Sequence, residues 1–134
     1  MKAELWFYKG PARLFDRLIR FCTGSRYSHV EIVINSMAYG ADAWTGRVRC
    51  RFVGGFNPDH WDAVAVECRQ TLTWLGQQLD KRYDWLGIFG FACFGVQDMS
   101  RWYCSGLCAR AIGDATNPIS PGKLYEIVTG RQNV

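Results

Sequence analysis

The sequence lacks any apolar run long enough to cross a membrane, and it lacks a recognisable secretion signal. Its longest apolar stretch, residues 85–96, is well short of the roughly 20 residues that a membrane-spanning helix needs. Residues 1–24 carry charged side chains without the apolar centre and small-residue cleavage site of a signal peptide. We therefore expect no transmembrane segment and a chain that is cytoplasmic when made.

Motifs of nucleic-acid binding and of metal binding are also missing. The formal net charge of +4 is modest, and the scattered basic residues come without an aromatic RNA-binding pattern, helix-turn-helix spacing or zinc finger. Cys104 and Cys108 are one helical turn apart, but no second pair of this kind completes a metal site. The sequence thus predicts no nucleic-acid partner, no metal and no other cofactor.

The sequence does contain enough apolar material for one core. Apolar residues make up 49% of the 134 residues and charged residues only 21%, which argues against disorder and suits a single domain spanning residues 1–134. Six cysteines would allow three disulfides in a secreted protein. Without a secretion signal, reduced thiols are expected.

Residues 101–112 predict a helix that starts at a cysteine. Counted from Cys104, apolar residues recur at i+3, i+4, i+7 and i+8, which is one face of a helix. Cys104 then lies in the first turn, where unpaired N–H groups and the helix dipole favour a thiolate. Cys104 is therefore the candidate nucleophile. The alternative is a small buried core residue, which is how most free cysteines behave.

A nucleophilic thiol needs a base, and the sequence offers only His29 and His60. Residues 27–34 alternate like a strand, which puts His29 and Glu31 side by side on one face. A cysteine on a helix, a histidine on a strand and a polar group to orient it form an activated-nucleophile arrangement. The alternatives are a core histidine and a solvated glutamate.

The remaining pattern alternates short strands with helices. Strands are predicted over residues 3–8, 37–44, 47–53 and 61–68, with a turn at Asn35-Ser36 and a loop over residues 54–59. Helices are predicted after Gly10, after Thr71 as a candidate N-cap, and from a capped start at Ser120, with Pro11 and Pro121 at the first helical position and Gly24 ending the first helix. The first helix would present Leu14, Phe15, Leu18, Ile19 and Cys22 as its apolar face.

Four segments in this order resemble the circularly permuted branch of the NlpC/P60 superfamily, in which histidine precedes cysteine. They are residues 27–34, 82–87, 102–105 and 119–124. The resemblance implies an α+β, permuted papain-like fold with a central antiparallel sheet packed with helices. It also implies a nucleophile at Cys104 and a base at His29, in a cysteine peptidase or amidase.

Relatives in this branch include peptidoglycan endopeptidases and amidases as well as lipid-modifying acyltransferases. Compact versions also resemble proteins encoded in phage and prophage tail regions. The resemblance therefore implies a hydrolase of bacterial cell-wall peptides that is carried in a virion, with phage tail proteins as partners. Two other functions stay open: a lipid or thioester acyl hydrolase or acyltransferase, and a catalytically inactive structural component of a phage particle.

The sequence departs from the family pattern at two points. Gly106 stands where many relatives have glutamate, which motivates the inactive alternative. The family's third polar residue often lies about a dozen positions after the histidine, a register that here reaches Ala41, with Asp42 beside it. Glu31 is favoured over Asp42 because it shares the face of His29. Trp102 and Tyr103, next to Cys104, are candidates for the wall of a substrate cleft.

Overall fold

The computed structural model describes residues 1–42, 45–83, 101–102, 104–113 and 120–132. Within these ranges, five antiparallel strands form the body of one sheet in the order β5-β1-β2-β3-β4. They are β1 (Lys2–Tyr8), β2 (His29–Ile34), β3 (Met37–Asp42), β4 (Arg47–Phe52) and β5 (Trp61–Glu67). Two short strands, β6 (Arg82–Tyr83) and β7 (Arg101–Trp102), extend the β4 edge.

Strand β2 lies at the centre of the sheet and is the most completely buried strand. Its residues from Val30 to Ile34 are all buried, because β1 and β3 flank it and a helix covers it. The β2–β3 turn has φ of 51° at Asn35 and 66° at Ser36, the left-handed pair that a two-residue hairpin with the right twist requires. In the β1–β2 register, Tyr8 lies opposite His29 and Trp6 opposite Glu31.

Four helices accompany the sheet in the described residues: α1 (Leu14–Thr23), α2 (Leu72–Gln78), α3 (Cys104–Ala111) and α4 (Pro121–Gln132). The apolar face predicted for the cysteine-led helix is buried throughout. In α4, Leu124 and Val128 join the same core as Leu5 and Phe7 of β1. The structure is thus α+β, with a central antiparallel sheet against which helices pack.

The caps predicted for α2 and α4 are present. Thr71 Oγ1 accepts a hydrogen bond from the Trp74 N–H at 3.0 Å, and Ser120 Oγ accepts one from the Lys123 N–H at 3.2 Å. These bonds satisfy N–H groups that a helix start otherwise leaves unpaired. Pro121 is the first residue of α4, as predicted.

The prediction for the start of the first helix was wrong. Pro11 lies in the connecting loop, where its carbonyl accepts a hydrogen bond from the Tyr8 hydroxyl at 2.8 Å. The helix begins at Leu14 instead, after Arg13, whose backbone N–H donates to the Asp16 carboxylate at 3.2 Å. A local carboxylate cap thus sets the start. Gly24 ends the helix with φ of 63°, as expected.

Two other expectations need correction. Leu14 and Leu18, predicted on the apolar face of the first helix, are 85% and 50% exposed, while Ile19 is buried. The segment 54–59, predicted as an irregular loop, contains parts of two short 3-10 turns, Val53–Gly55 and Pro58–His60. The apolar run 85–96 lies outside the described residues. In the part of the chain that the structure describes, no helix is both long and apolar enough to span a bilayer.

Candidate active site

Cys104 is the first residue of α3 and is only 3% exposed. The helix lies against the central strand, where the Cys108 thiol donates a weak hydrogen bond to the Val30 carbonyl at 3.8 Å. Gly106, in the first turn of α3, is buried as well. Cys104 therefore lies in the first turn of α3, where the positive end of the helix dipole favours negative charge.

His29 is the first residue of β2, and its side chain is 19% exposed. Burial of the imidazole lowers its pKa, but a side-chain hydrogen bond with Cys104, the negative charge of that thiolate and the adjacent Glu31 together raise the pKa to about 10. The imidazolium form is thus favoured at neutral pH. An imidazolium that is hydrogen-bonded to the Cys104 side chain is placed to exchange a proton with the sulfur.

Glu31 lies two residues further along β2, and its side chain is 2% exposed. Its Oε1 atom is 3.1 Å from His29 Nε2 and accepts a hydrogen bond from the Arg51 guanidinium at 2.6 Å. Burial raises the pKa of Glu31, but His29 and then Arg51 outweigh it and hold the pKa below its ordinary value. A buried carboxylate with these two cationic partners stays ionised and can orient the imidazole.

Arg51 was not singled out by sequence reasoning. It lies on β4, two strands away from Glu31, and its side chain is 46% exposed. The guanidinium also lies over the Phe56 ring, 4.8 Å from its centroid. The available signal was the alternation of arginines at 47, 49 and 51 along one strand face. That pattern does not say which arginine reaches Glu31, because the answer depends on the strand register.

Gly40, on β3 between β2 and β4, is a second residue that the sequence did not reveal. An added Cβ at this position would lie 2.6 Å from Glu31 Cγ and 3.0 Å from its Oε1. Real side chains do not approach this closely, so only glycine leaves room for the buried carboxylate. Gly40 thereby permits the arrangement of Glu31 between His29 and Arg51.

The other site residues predicted from the sequence are placed as follows. Asp42 ends β3, where its carboxylate accepts a hydrogen bond from the Thr45 hydroxyl at 3.3 Å. Trp102 is part of β7. Tyr103 lies outside the described residues. The structure thus brings Cys104, His29 and Glu31 together, and Glu31 is the carboxylate in contact with the imidazole.

A group of aromatic rings also lies near His29. The Trp61 ring is 6.2 Å from the imidazole, and Phe56 stacks on Trp61 at 5.0 Å with 13° between the planes. Trp6 contacts both rings at about 6 Å. All three are half-buried, so they both pack beside His29 and keep part of their surface accessible.

The remaining described cysteines differ from Cys104. Burial, the nearby Cys104 and Glu31 charges and Cys68 raise the pKa of Cys108 well above its ordinary value, and burial likewise raises the pKa of Cys68. Cys50, on β4, is half-buried. Among the described residues, no group of three or more histidine, cysteine, aspartate or glutamate side chains could hold a metal ion.

No protein-family model matches this chain, and no curated protein matches it.

Proposed function

We propose that the protein is a cysteine hydrolase of the permuted papain-like, NlpC/P60 type that cleaves amide or peptide bonds. The observation that carries this proposal is the connected set Cys104, His29 and Glu31: a thiol at a helix start, hydrogen-bonded to an imidazole whose Nε2 faces a buried carboxylate. The motif order of the sequence supports the same assignment.

The proposed reaction proceeds through a thioester. Since Nε2 of His29 faces Glu31, Nδ1 is the ring nitrogen that takes the Cys104 proton. The thiolate attacks the substrate carbonyl, and N–H groups at the start of α3 bind the developing oxyanion. His29 then protonates the leaving amine. A water molecule, deprotonated by His29, attacks the thioester, releases the acid and restores the thiol.

The proposed substrate is a peptide of bacterial peptidoglycan, and the proposed setting is a phage tail. This substrate is supported by the resemblance to cell-wall amidases and endopeptidases. The half-buried Trp61 and Phe56 rings offer an apolar surface next to His29 against which a substrate can pack.

The test is digestion of purified peptidoglycan by the wild type, Cys104→Ser and Cys50→Ser. Mass spectrometry would follow the soluble fragments and any newly formed amino groups. We expect fragments with the wild type and Cys50→Ser, and none with Cys104→Ser, because Cys104 is hydrogen-bonded to His29, whereas Cys50 lies on β4. Equal release by wild type and Cys104→Ser would rule out the proposed nucleophile.

A lipid or thioester acyl hydrolase or acyltransferase is the second candidate function. It is favoured by one observation, the solvent-exposed apolar side chains of α1, which suit a protein that works at a lipid surface. Hydrolysis of long-chain acyl thioesters, with the same Cys104→Ser and Cys50→Ser variants, separates this activity from peptidoglycan cleavage. The third candidate, an inactive virion component, would be eliminated by any Cys104-dependent turnover and supported by inert protein that binds phage particles tightly.

A further inference from the structure

Helix α1 presents an apolar stripe to solvent, formed by Leu14, Leu18 and Phe21. Their exposed fractions are 85%, 50% and 86%. At about 100° per residue, the three side chains fall within roughly 60° of one another around the helix axis, so the stripe is continuous. Ile19 points away from the stripe and is 4% exposed. The helix is therefore attached to the domain through another face, and the described residues leave the stripe exposed.

Basic side chains border one edge of this stripe. Arg17 and Arg13 are both exposed, and Arg20, further round the helix, donates to the Gly10 carbonyl at 2.9 Å. The carboxylate of α1, Asp16, is half-buried and caps the helix start. The outer surface of α1 thus combines apolar and cationic groups, while its acidic residue, Asp16, caps the start of the helix.

We propose that α1 docks on an anionic lipid surface, with the stripe in the acyl boundary and Arg17 at the headgroup level. Short helices with leucine and phenylalanine on one face and arginine beside them lie in the plane of a membrane interface. Charge complementarity selects anionic over neutral lipid, because each arginine near the surface adds electrostatic attraction. With only three apolar anchors, the docking is reversible.

A second copy of the chain fits the stripe less well than a lipid surface does. If two copies paired antiparallel through Leu14, Leu18 and Phe21, the two-fold axis would bring both Arg17-bearing edges to the same side. Like charges would then face each other across the contact. An anionic bilayer instead offers hydrocarbon to the stripe and phosphate to the arginines.

The position of α1 in the chain gives this docking a consequence for the site. The helix connects the end of β1 to the start of β2, and Tyr8 and His29 at these two strand ends pair with each other. Docking of α1 therefore brings the end of the sheet that carries His29 close to the bilayer. This inference stands independently of the proposed hydrolase, because the described contacts of the His29 side chain are with Glu31, Cys104 and Trp61, which lie outside α1.

Vesicle flotation tests the proposal, with phosphatidylcholine alone and with about 30% phosphatidylglycerol. The variants are Phe21→Ser and Arg17→Glu. Matched controls on β4 are Phe52→Ser, since Phe52 is also a largely exposed phenylalanine at 65%, and Arg49→Glu, since Arg49 is an exposed arginine. All four side chains are exposed, so circular dichroism should show the same fold in every variant.

We expect the wild type and both controls to float with the anionic vesicles and not with the neutral ones. Phe21→Ser and Arg17→Glu should each bind at least about fivefold more weakly. Light scattering would be run in parallel. A wild type that ignores anionic vesicles, stripe variants that bind like the controls, or a dimer that Phe21→Ser dissociates without any vesicle binding would each overturn the proposal.

Discussion

Glu31 is a carboxylate buried in the sheet with two donors on a single oxygen. Removing such a charge from water is costly, and the His29 and Arg51 hydrogen bonds offset that cost. Its second oxygen, Oε2, is buried with no hydrogen-bond partner among the described residues. The charge of His29 therefore depends on the Glu31 carboxylate. Arg51 holds this carboxylate in place, and Gly40 leaves the room that it needs.

Replacement of Glu31 by glutamine tests this dependence at the residue scale. The amide keeps an acceptor oxygen but removes the negative charge that raises the His29 pKa, so the pKa should fall from about 10 toward its ordinary range. Nuclear magnetic resonance titration of the imidazole measures it. Glu126→Gln is the matched control, because Glu126 is exposed on α4. An unchanged His29 pKa in Glu31→Gln would contradict the role assigned to this carboxylate.

Gly40→Ala tests whether the space for Glu31 matters. The new methyl group would lie 2.6 Å from Glu31 Cγ, so the Glu31 side chain must leave its present position, which is the one that contacts His29. We expect hydrolysis to fall by about tenfold or more, together with a lower His29 pKa in the same titration. Wild-type activity in Gly40→Ala would show that Glu31 can shift without cost and would argue against its positioning role.

At the scale of elements, local sequence patterns predicted those features that depend on neighbouring residues alone. The alternation of β2, the caps at Thr71 and Ser120 and the helix led by Cys104 all follow from periodicity and capping chemistry, and the structure contains them. The Glu31–Arg51 contact depends on the register of three strands, which no local pattern encodes. The start of α1 was missed because the Asp16 carboxylate caps Arg13, an unusual N-cap residue.

In helix α2, two substitutions should change the free energy of unfolding in opposite directions. Gly76 lies inside the helix with open space around its Cβ position, so Gly76→Ala should stabilise the protein by about 0.5–1 kcal/mol. Thr71→Ala removes the cap on the Trp74 N–H and should destabilise it by about 1 kcal/mol. Urea unfolding measures both. If both variants changed the free energy of unfolding in the same direction, the description of α2 would be contradicted.

At the scale of the whole molecule, the sheet and its helices share one hydrophobic core, and the candidate site borders this core. Cys104 and Cys108 of α3 belong to the same buried cluster as Val30 and Ile32 of β2. Core stability and site geometry are therefore linked through α3. A change in the ionisation of the site residues should consequently be visible in the stability of the whole fold.

The pH dependence of unfolding follows from the shifted groups. The lowered pKa of Glu31 stabilises the fold above its ordinary value of about 4.5, and this contribution is lost as the pH falls through the folded-state value. The raised pKa of His29 stabilises below about 6.5 and loses its effect as the pH rises through about 10. Urea unfolding should show the acid limb flattened in Glu31→Gln and the alkaline limb flattened in His29→Gln. If the acid and alkaline limbs of the stability profile were unchanged in these variants, the pKa shifts of Glu31 and His29 would be contradicted.

The most direct measurement is the rate of iodoacetamide labelling at each cysteine, followed by mass spectrometry from about pH 5 to 9. Cys50 is the internal reference, because it is more exposed than Cys104, so access alone favours Cys50. We expect Cys104 to label faster than Cys50 near pH 6, and His29→Gln to abolish that advantage. Cys104 labelling that is no faster than Cys50 and indifferent to His29 would contradict the Cys–His pair and the hydrolase built on it.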